Sequence, residues 1–281
     1  MKKLNLIIFA IIISLTACQP KTDNKDDNAE AAIDSTNVND EYHFQFDDVE
    51  LWTLQDKVNT MSMDLFADAD PAVVKDLVPT GEADAAINAF LVKQNGQYIL
   101  FDAGVGADNG GAMIEKLHEI GVNESDIKAV CLTHFHFDHI GGLLTNGQPT
   151  FPNAEVYCSA KELSAFKDDE NVQSIVEAYQ NHTHAFADNA VILDGIMTIP
   201  APGHTPGHSM YQIGKILIIG DVIHAAALQI PHPEFCARYD QDKDQAIKTR
   251  QNTYQYIRDQ HLIIAGMHLP HNGVMTEFPE K

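Results

Sequence analysis

The stretch THFHFDHIGG, residues 133–142, constrains this chain more than any other feature of its sequence. It crowds three histidines and an aspartate into six positions, and the apolar run before it, 129–132, predicts a strand. A continued strand would align only the first two histidines, and a helix would not align all four side chains. The spacing therefore predicts a loop wrapped around one point, beside which Gly141-Gly142 is expected to let the backbone turn tightly. The four side chains are His134, His136, Asp138 and His139.

These four side chains form a candidate metal site, since imidazole and carboxylate groups are common metal ligands. A histidine-rich surface loop without metal is the alternative. The chain has 14 histidines among 281 residues, and at that frequency the pattern H-x-H-x-D-H seldom arises by chance. The pattern therefore favours the metal site.

Three more metal-competent residues follow apolar runs later in the chain. His204 lies in IPAPGHTPGHS. Asp221 follows the apolar run 216–220, and His268 follows the apolar run 262–266. Polar residues at the ends of buried strands are where functional sites collect. His271 is an alternative late ligand, but His268 lies closer to the predicted strand, so His268 is preferred.

Length and composition fit one large domain or two small ones. The hydrophobic fraction of 44% is sufficient for a buried core. The formal net charge of -22 argues against nucleic acid as a partner. An acidic chain that acts on anionic substrates would also need a metal to offset its field locally.

Residues 1–17 predict a signal peptide, because Lys2 and Lys3 precede an apolar run that is too short to span a bilayer. The sequence LTAC, which ends at Cys18, resembles the lipobox of bacterial lipoproteins. That resemblance implies lipidation of Cys18 and a membrane anchor in the bacterial cell envelope, facing the periplasm or the surface. A plain signal peptide followed by a chance cysteine is the alternative.

Residues 18–41 predict a disordered tether, because the segment is highly charged and contains no aromatic residue. A folded domain is expected over 42–281. Besides Cys18, the chain has only Cys131, Cys158 and Cys236, and this odd number does not suggest a disulfide framework. Cys131 lies in an apolar run and is interpreted as a buried thiol.

Turn dipeptides between short apolar runs predict three antiparallel hairpins, at Asn95-Gly96, Asp194-Gly195 and Gly214-Lys215. Apolar residues at helical spacing predict helices near 113–120, 172–179 and 247–257. Asp240, Asp242 and Asp244 are expected to stabilise the start of the last helix. Strand pairs that alternate with helices indicate a layered mixed α/β domain.

The order HFHFDH, GHTPGH, GD and a late histidine resembles the metallo-β-lactamase superfamily over residues 42–281. The resemblance implies an αβ/βα four-layer sandwich with two divalent metal ions, most often zinc, although iron, manganese and cobalt stay open. It implies that one ion is bound by His134, His136 and His204. It implies that the other is bound by Asp138, His139 and His268, with Asp221 as the bridge.

Three further residues are candidates for contacts around the ligands. Asp102, in ILFDAGVG, matches an early strand-end aspartate of the superfamily and is expected to orient a ligand histidine. A turn aspartate that caps the glycine loop is the alternative for Asp102. His208 and His224 are the other two candidates.

The expected chemistry is hydrolysis, with a metal-bridging hydroxide attacking an ester-like carbon or phosphorus. Asp138 and Asp221 are the expected catalytic residues, and Asp138 is also expected to pass a proton. The sequence contains no G-x-S-x-G motif, and no cysteine lies beside a ligand histidine. A small-molecule ester-like substrate is expected, and a homodimer stays open.

The stretch GDVIHAAALQIPHPEFCARYDQDKDQA and the later AGMHLP resemble the methyl parathion hydrolase branch, which is similar to the N-acyl homoserine lactonases. Many of those lactonases have a tyrosine three residues after the bridging aspartate. In this chain His224 takes that place, which favours a phosphotriesterase-like enzyme over a lactonase. β-Lactamase and thioesterase activities are weaker alternatives. A lipoprotein that binds zinc without turnover is an alternative of a different class, against which the seven-ligand set argues.

Overall fold

A computed structural model describes residues 41–280 of the chain. The predictions for residues 1–40, which include the signal peptide, the lipidated Cys18 and nearly all of the tether, lie outside these residues. In the described part, no helix is both long and apolar enough to cross a membrane.

The strands of this part, in chain order, are β1 (His43–Phe46), β2 (Val49–Ser62), β3 (Glu82–Gln94), β4 (Gln97–Phe101), β5 (Ile127–Cys131), β6 (Leu144–Thr145), β7 (Gln148–Pro149), β8 (Glu155–Ser159), β9 (Thr183–Phe186), β10 (Val191–Ile192), β11 (Ile196–Pro200), β12 (Ser209–Ile213), β13 (Ile216–Ile218), β14 (Ile263–Ala265) and β15 (Val274–Met275). The α-helices are α1 (Pro71–Leu77), α2 (Met113–Glu119), α3 (Phe137–Ile140), α4 (Ala160–Ala165), α5 (Glu170–Tyr179), α6 (Ala226–Gln229) and α7 (Lys243–Gln260).

Two large sheets form the centre of the described part. The first has the order β1-β2-β3-β4-β5-β8-β9, and the second has the order β10-β11-β12-β13-β14-β15. The expectation of antiparallel sheets is only partly right, because β4, β5, β8 and β9 run parallel to one another, as do β13 and β14. Turn dipeptides report on local pairs alone, whereas these parallel neighbours are joined by longer connections that contain helices.

The three predicted hairpins are confirmed as the antiparallel pairs β3–β4, β10–β11 and β12–β13. In the first of them, Asn95 and Gly96 have φ values of 51° and 76°. Positive φ at both central residues is what a two-residue hairpin turn of type I′ requires, and asparagine and glycine adopt it at the lowest steric cost.

The buried side chains form layers. Leu117 of α2 and Val172 of α5 pack on one face of the first sheet. Between the sheets, Phe101 and Tyr211 lie with ring centroids 5.3 Å apart. Ile257 of α7 packs on the outer face of the second sheet. The molecule is therefore the expected αβ/βα sandwich.

The last predicted helix, α7, begins as expected at an acidic residue. The Asp242 side chain accepts a hydrogen bond from the backbone N–H of Gln245, which satisfies one of the free amides at the helix start. The prediction that Asp240 also stabilises the start of this helix was wrong, because Asp240 lies before the helix and is buried. The thiol of Cys131 is buried and free, as predicted.

Candidate metal centre

The stretch 133–142 follows β5, and the expectation that it is all loop is only partly right. His136 precedes the one-turn helix α3, which carries Asp138 and His139. His134 lies between the strand and this turn. The short helix places the two later side chains at one end of the first sheet, close to the earlier histidines.

The two glycines after α3 have a different role from the predicted one. Gly141 has a φ of -59°, which any residue can adopt. A Cβ atom on Gly141 would lie 2.5 Å from the carbonyl oxygen of Val105, and one on Gly142 would lie 2.0 Å from that of Ala103. The pair is therefore required because the loop after β4 packs directly against its backbone.

The other predicted residues reach the same place from the second sheet. His204 lies in the connection between β11 and β12, and Asp221 lies in a single 3-10 turn after β13. His268 follows β14. Because β13 and β14 are parallel neighbours, their carboxyl ends lie at the same edge. His271 lies elsewhere, where its carbonyl oxygen accepts a hydrogen bond from the Gln55 side chain.

The structure brings all seven predicted residues together. Ligand atoms of the first predicted set lie within 4.8 Å of one another, in His134, His136, His204 and Asp221. The same holds for the second set, Asp138, His139 and His268. Asp221 lies between the sets: its Oδ2 is 3.2 Å from His204 Nε2 and 3.1 Å from His268 Nε2, and its Oδ1 is 3.2 Å from His139 Nε2.

Four of these imidazoles are held through Nδ1, which leaves Nε2 facing the centre. The Nδ1 partners are Thr133 Oγ1 for His134, Asp102 Oδ2 for His139, Asp240 Oδ1 for His204 and the Ala86 carbonyl oxygen for His268, at 2.7 to 3.0 Å. Such contacts fix the ring orientation of a metal-binding histidine and the nitrogen that carries its proton.

Asp102 lies where its sequence context predicts. Its carboxylate accepts hydrogen bonds from the Thr133 backbone N–H and hydroxyl at 2.8 and 2.7 Å, and it pairs with His139. Because the Thr133 hydroxyl donates to Asp102, its oxygen accepts from the His134 Nδ1–H. Asp102 therefore orients His139 directly and His134 through Thr133. The alternative role, capping of the glycine loop, belongs instead to Asp56, which binds the backbone N–H of Val105.

Sequence reasoning missed two buried carboxylates. Asp240 bridges His204 Nδ1 and Arg250 Nη2, at 3.0 and 3.1 Å. Glu162, on α4, binds both histidine-bearing loops. The one available signal for Asp240 was Arg250, an arginine on the apolar face of α7 next to Tyr254 along the helix surface. Nothing in the local sequence marks Glu162.

His208 and His224, the other two candidates, behave differently. Burial and the nearby His204 lower the pKa of His208 to about 3, so its ring is neutral. Its Nδ1–H donates to the Ala201 carbonyl oxygen, and its Nε2 accepts from the Asp221 backbone N–H at 2.9 Å. His224 is also buried, but neither ring nitrogen has a hydrogen-bond partner among the described residues. Its Nε2 lies 3.3 Å from Asp221 Oδ2.

The centre attracts positive charge. Although burial acts in the opposite direction, His139, His268 and neighbouring imidazoles hold the pKa of Asp221 well below its usual range. Against burial, Asp221 and Asp240 in turn raise the pKa of His204 to about 9. Cations bound among these side chains would supply the same positive charge.

The distances test whether the residues fit metal ions. Two ligand atoms at 2.0–2.1 Å from one zinc ion, at tetrahedral or right angles, lie about 2.8–3.4 Å apart. The contacts of Asp221 with His139, His204 and His268 fall in this range. His139 Nε2 and Asp221 Oδ1 form no hydrogen bond with any described residue, although they are buried. The residues therefore fit divalent cations, and their nitrogen and oxygen donors suit zinc.

Comparison with known proteins agrees with this geometry. The sequence profile of the metallo-beta-lactamase superfamily matches residues 84–252, which include all seven predicted residues except His268. The chain belongs to the metallo-beta-lactamase superfamily and is a metallo-hydrolase.

Two solved structures are similar over most of their length. One is described as the hydrolase AbOPH in the beta lactamase superfamily; it is 31% identical, with 83% of this chain and 91% of that chain covered and a TM-score of 0.77. The other is AidC, a dizinc quorum-quenching lactonase in complex with a product, N-hexanoyl-L-homoserine. It is 25% identical, with 84% and 94% covered and a TM-score of 0.75.

A curated relative, the uncharacterized protein YobT of Bacillus subtilis strain 168, is 28% identical over 186 residues. That alignment covers 59% of this chain and 76% of YobT. The chain spans only about half the length of several further curated relatives, which are named as hydrolases. Three of these four are named as zinc-dependent or metallo-hydrolases, and the fourth is named as a hydroxyacylglutathione hydrolase.

Proposed function

We propose that the chain is a dinuclear metal-dependent hydrolase that cleaves a small ester, lactone or phosphotriester. The observation that carries this proposal is the position of Asp221. Its two oxygens face imidazoles of both predicted sets at 3.1 to 3.2 Å, as a carboxylate that bridges two cations would. A storage site needs no such bridge.

The proposed roles follow the two sets. One cation would be held by His134, His136 and His204, and the other by Asp138, His139 and His268. Two divalent cations bound there would activate water as a nucleophile near neutral pH and polarise the bond under attack. His208 would hold the backbone of Asp221 in place through its Nε2.

Asp138 is the carboxylate of this centre that opens to solvent. Its side chain is 31% exposed, whereas that of Asp221 is 3% exposed. Asp138 Oδ2 also lies 3.5 Å from His268 Nε2. A carboxylate at the mouth of the site can position water and pass a proton to the leaving oxygen, so Asp138 would take this role.

An exposed aromatic ring beside the site supports a substrate with an apolar part. Tyr239 is 48% exposed, and its ring centroid lies 6.1 Å from that of His224. Phe137 is 49% exposed but lines a different surface pocket, with Ile140 and Ile175. Phe135 and Phe235 are instead buried and belong to the packing.

N-acyl homoserine lactones are a second candidate class of substrate. The similarity to AidC over 94% of that chain supports them. His224, at the place where many lactonases have a tyrosine, favours phosphotriesters.

The test compares zinc-loaded protein with chelator-treated protein on paraoxon, 4-nitrophenyl acetate and N-hexanoyl homoserine lactone. We expect turnover of at least one substrate by the loaded protein alone. Asp221→Asn should be inactive, whereas Asp194→Asn, the same change at an exposed hairpin turn, should keep full activity. A protein that binds two cations and hydrolyses none of a wider panel of esters, lactones and phosphotriesters would favour zinc binding without catalysis.

We also propose that Cys18 carries a lipid anchor in the bacterial cell envelope, on the strength of the LTAC sequence. Expression in a bacterium, followed by fractionation, should place the protein in the membrane fraction. Cys18→Ser should release it, and an unchanged distribution would contradict the anchor.

A further inference from the structure

Glu162 is a buried carboxylate that contacts two histidine-bearing loops of the candidate metal centre. It lies on α4 and is 1% exposed. Its Oε1 accepts a hydrogen bond from the Phe135 backbone N–H at 3.1 Å, and its Oε2 accepts from the Thr205 hydroxyl and the Gly207 backbone N–H, both at 2.8 Å. Among residues 41–280, no lysine or arginine forms a salt bridge with it. Its hydrogen bonds therefore have to compensate much of the cost of burying the carboxylate.

The three donors lie within the loops that carry the first set of predicted ligands. Phe135 stands between His134 and His136, and Thr205 directly follows His204. The two loops come from different sheets, since one follows β5 and the other follows β11. One carboxylate thus joins both loops.

The backbone of α4 also lies against the second loop. A Cβ atom on Gly207 would lie 2.1 Å from the backbone nitrogen of Glu162. The Ser159 side chain caps the start of α4 by accepting from the Lys161 N–H. Glycine at 207 is therefore required for the approach that brings the Glu162 carboxylate between the loops.

The second set of ligands is held by other groups. His139 depends on Asp102, and His268 depends on the Ala86 carbonyl oxygen. Glu162 contacts neither of them among its described hydrogen bonds. Its influence should therefore differ between the two halves of the centre.

We infer that Glu162 is a positioning residue for the first cation: it fixes the relative placement of His134, His136 and His204 and so sets the affinity of that half alone. The inference rests on the proposed dinuclear function. Glu162 does not touch the reacting atoms and acts only through the loops that it joins.

The test titrates the cation-free protein with zinc by calorimetry, and Co²⁺ identifies the filled half by the shifted N–H resonances of its imidazoles. In Glu162→Gln the side-chain shape is kept, but an amide NH₂ faces at least one of the three donors. We expect the affinity for the first cation, the one held by His134, His136 and His204, to fall 10- to 100-fold, in the range typical of groups that support metal ligands. The affinity for the second cation should not change. Glu170→Gln, the same change at an exposed site, should alter neither.

A second pair of variants protects the test against misfolding. Thr205→Val removes one of the three hydrogen bonds without changing the size of the side chain, and we expect it to weaken binding of the first cation about two- to tenfold. Thr205→Ser keeps the hydroxyl and should restore the affinity. If Glu162→Gln does not fold, an unchanged affinity for the first cation in Thr205→Val would overturn the inference.

The outcomes separate this inference from the proposed function. If the unchanged protein binds fewer than two zinc ions in the titration, the dinuclear proposal is refuted, and this inference is refuted with it. If the unchanged protein binds two cations, the dinuclear proposal stands. In that case, equal losses of affinity at both halves in Glu162→Gln, or no loss at either, would refute only the role of Glu162.

Discussion

The two halves of the candidate metal centre, which are the two predicted ligand sets, both lie against Asp221 but are held in place differently. The first half joins two loops from different sheets and depends on Glu162 and Asp240. The second half depends on Asp102, which also reaches His134 of the first half through Thr133, and on a backbone carbonyl. Glu162 and Asp240 contact only the first set, so variants of these two carboxylates should change the affinity of one cation site more than that of the other.

The largest effect is expected from Asp221, which both halves share. Asp221→Asn removes the charge that faces His139, His204 and His268, and it leaves one oxygen where two faced the centre. Because loss of an outer partner alone costs 10- to 100-fold, loss of the shared ligand should lower kcat/KM by more than about a hundredfold. Zinc content and hydrolysis of the best substrate measure the effect. Unchanged activity with two bound cations would show that Asp221 does not bridge.

The next largest effects are expected from Asp102 and Asp240, whose variants should change the zinc affinities of the two halves to different extents. Asp102→Asn should weaken binding of the cation held by Asp138, His139 and His268 about 10- to 100-fold. It should weaken the other cation by less, because Asp102 reaches His134 only through Thr133. Asp240→Asn should weaken binding of the cation held by His134, His136 and His204 by about 10- to 100-fold. Asp240→Asn should also lower the free energy of unfolding of the cation-free protein by about 3–5 kcal/mol, because it leaves the buried Arg250 without its ionic partner. Zinc calorimetry and urea unfolding measure the two quantities. Equal losses at both halves in each variant would contradict separable sites.

The smallest effect on binding is expected from His224, which borders both halves. Its Nε2 lies 3.3 Å from Asp221 Oδ2, and its Nδ1 has no hydrogen-bond partner among the described residues, so His224→Phe removes one buried contact and one unsatisfied nitrogen. The two changes act in opposite directions, so the free energy of unfolding should change by no more than about 1–3 kcal/mol. Both cations should stay bound, while the ratio of lactone to phosphotriester turnover changes. A lost cation in this variant would instead make His224 a ligand.

The features that could be predicted from the sequence are those with a local signal. Asn95-Gly96 specifies a hairpin because few residues tolerate its backbone, and H-x-H-x-D-H crowds its ligands into six positions. The pairing of β13 with β14 had no such signal, because 44 residues separate Ile218 from Ile263.

The supporting carboxylates were harder to predict. Asp240 could cap α7 or turn inward, and the choice depends on Arg250 and on the distant His204. Glu162 is one glutamate in a short helix, and its importance comes from two loops that meet only in the folded chain. Gly141-Gly142 suggested a turn, but the loop after β4 packs against it.

Zinc titration of the cation-free protein, with hydrolysis followed at each step, tests the central claim most directly. We predict two zinc ions per chain, with activity appearing as the second ion binds. Saturation at one ion per chain, or activity complete after the first ion, would contradict a dinuclear centre around Asp221.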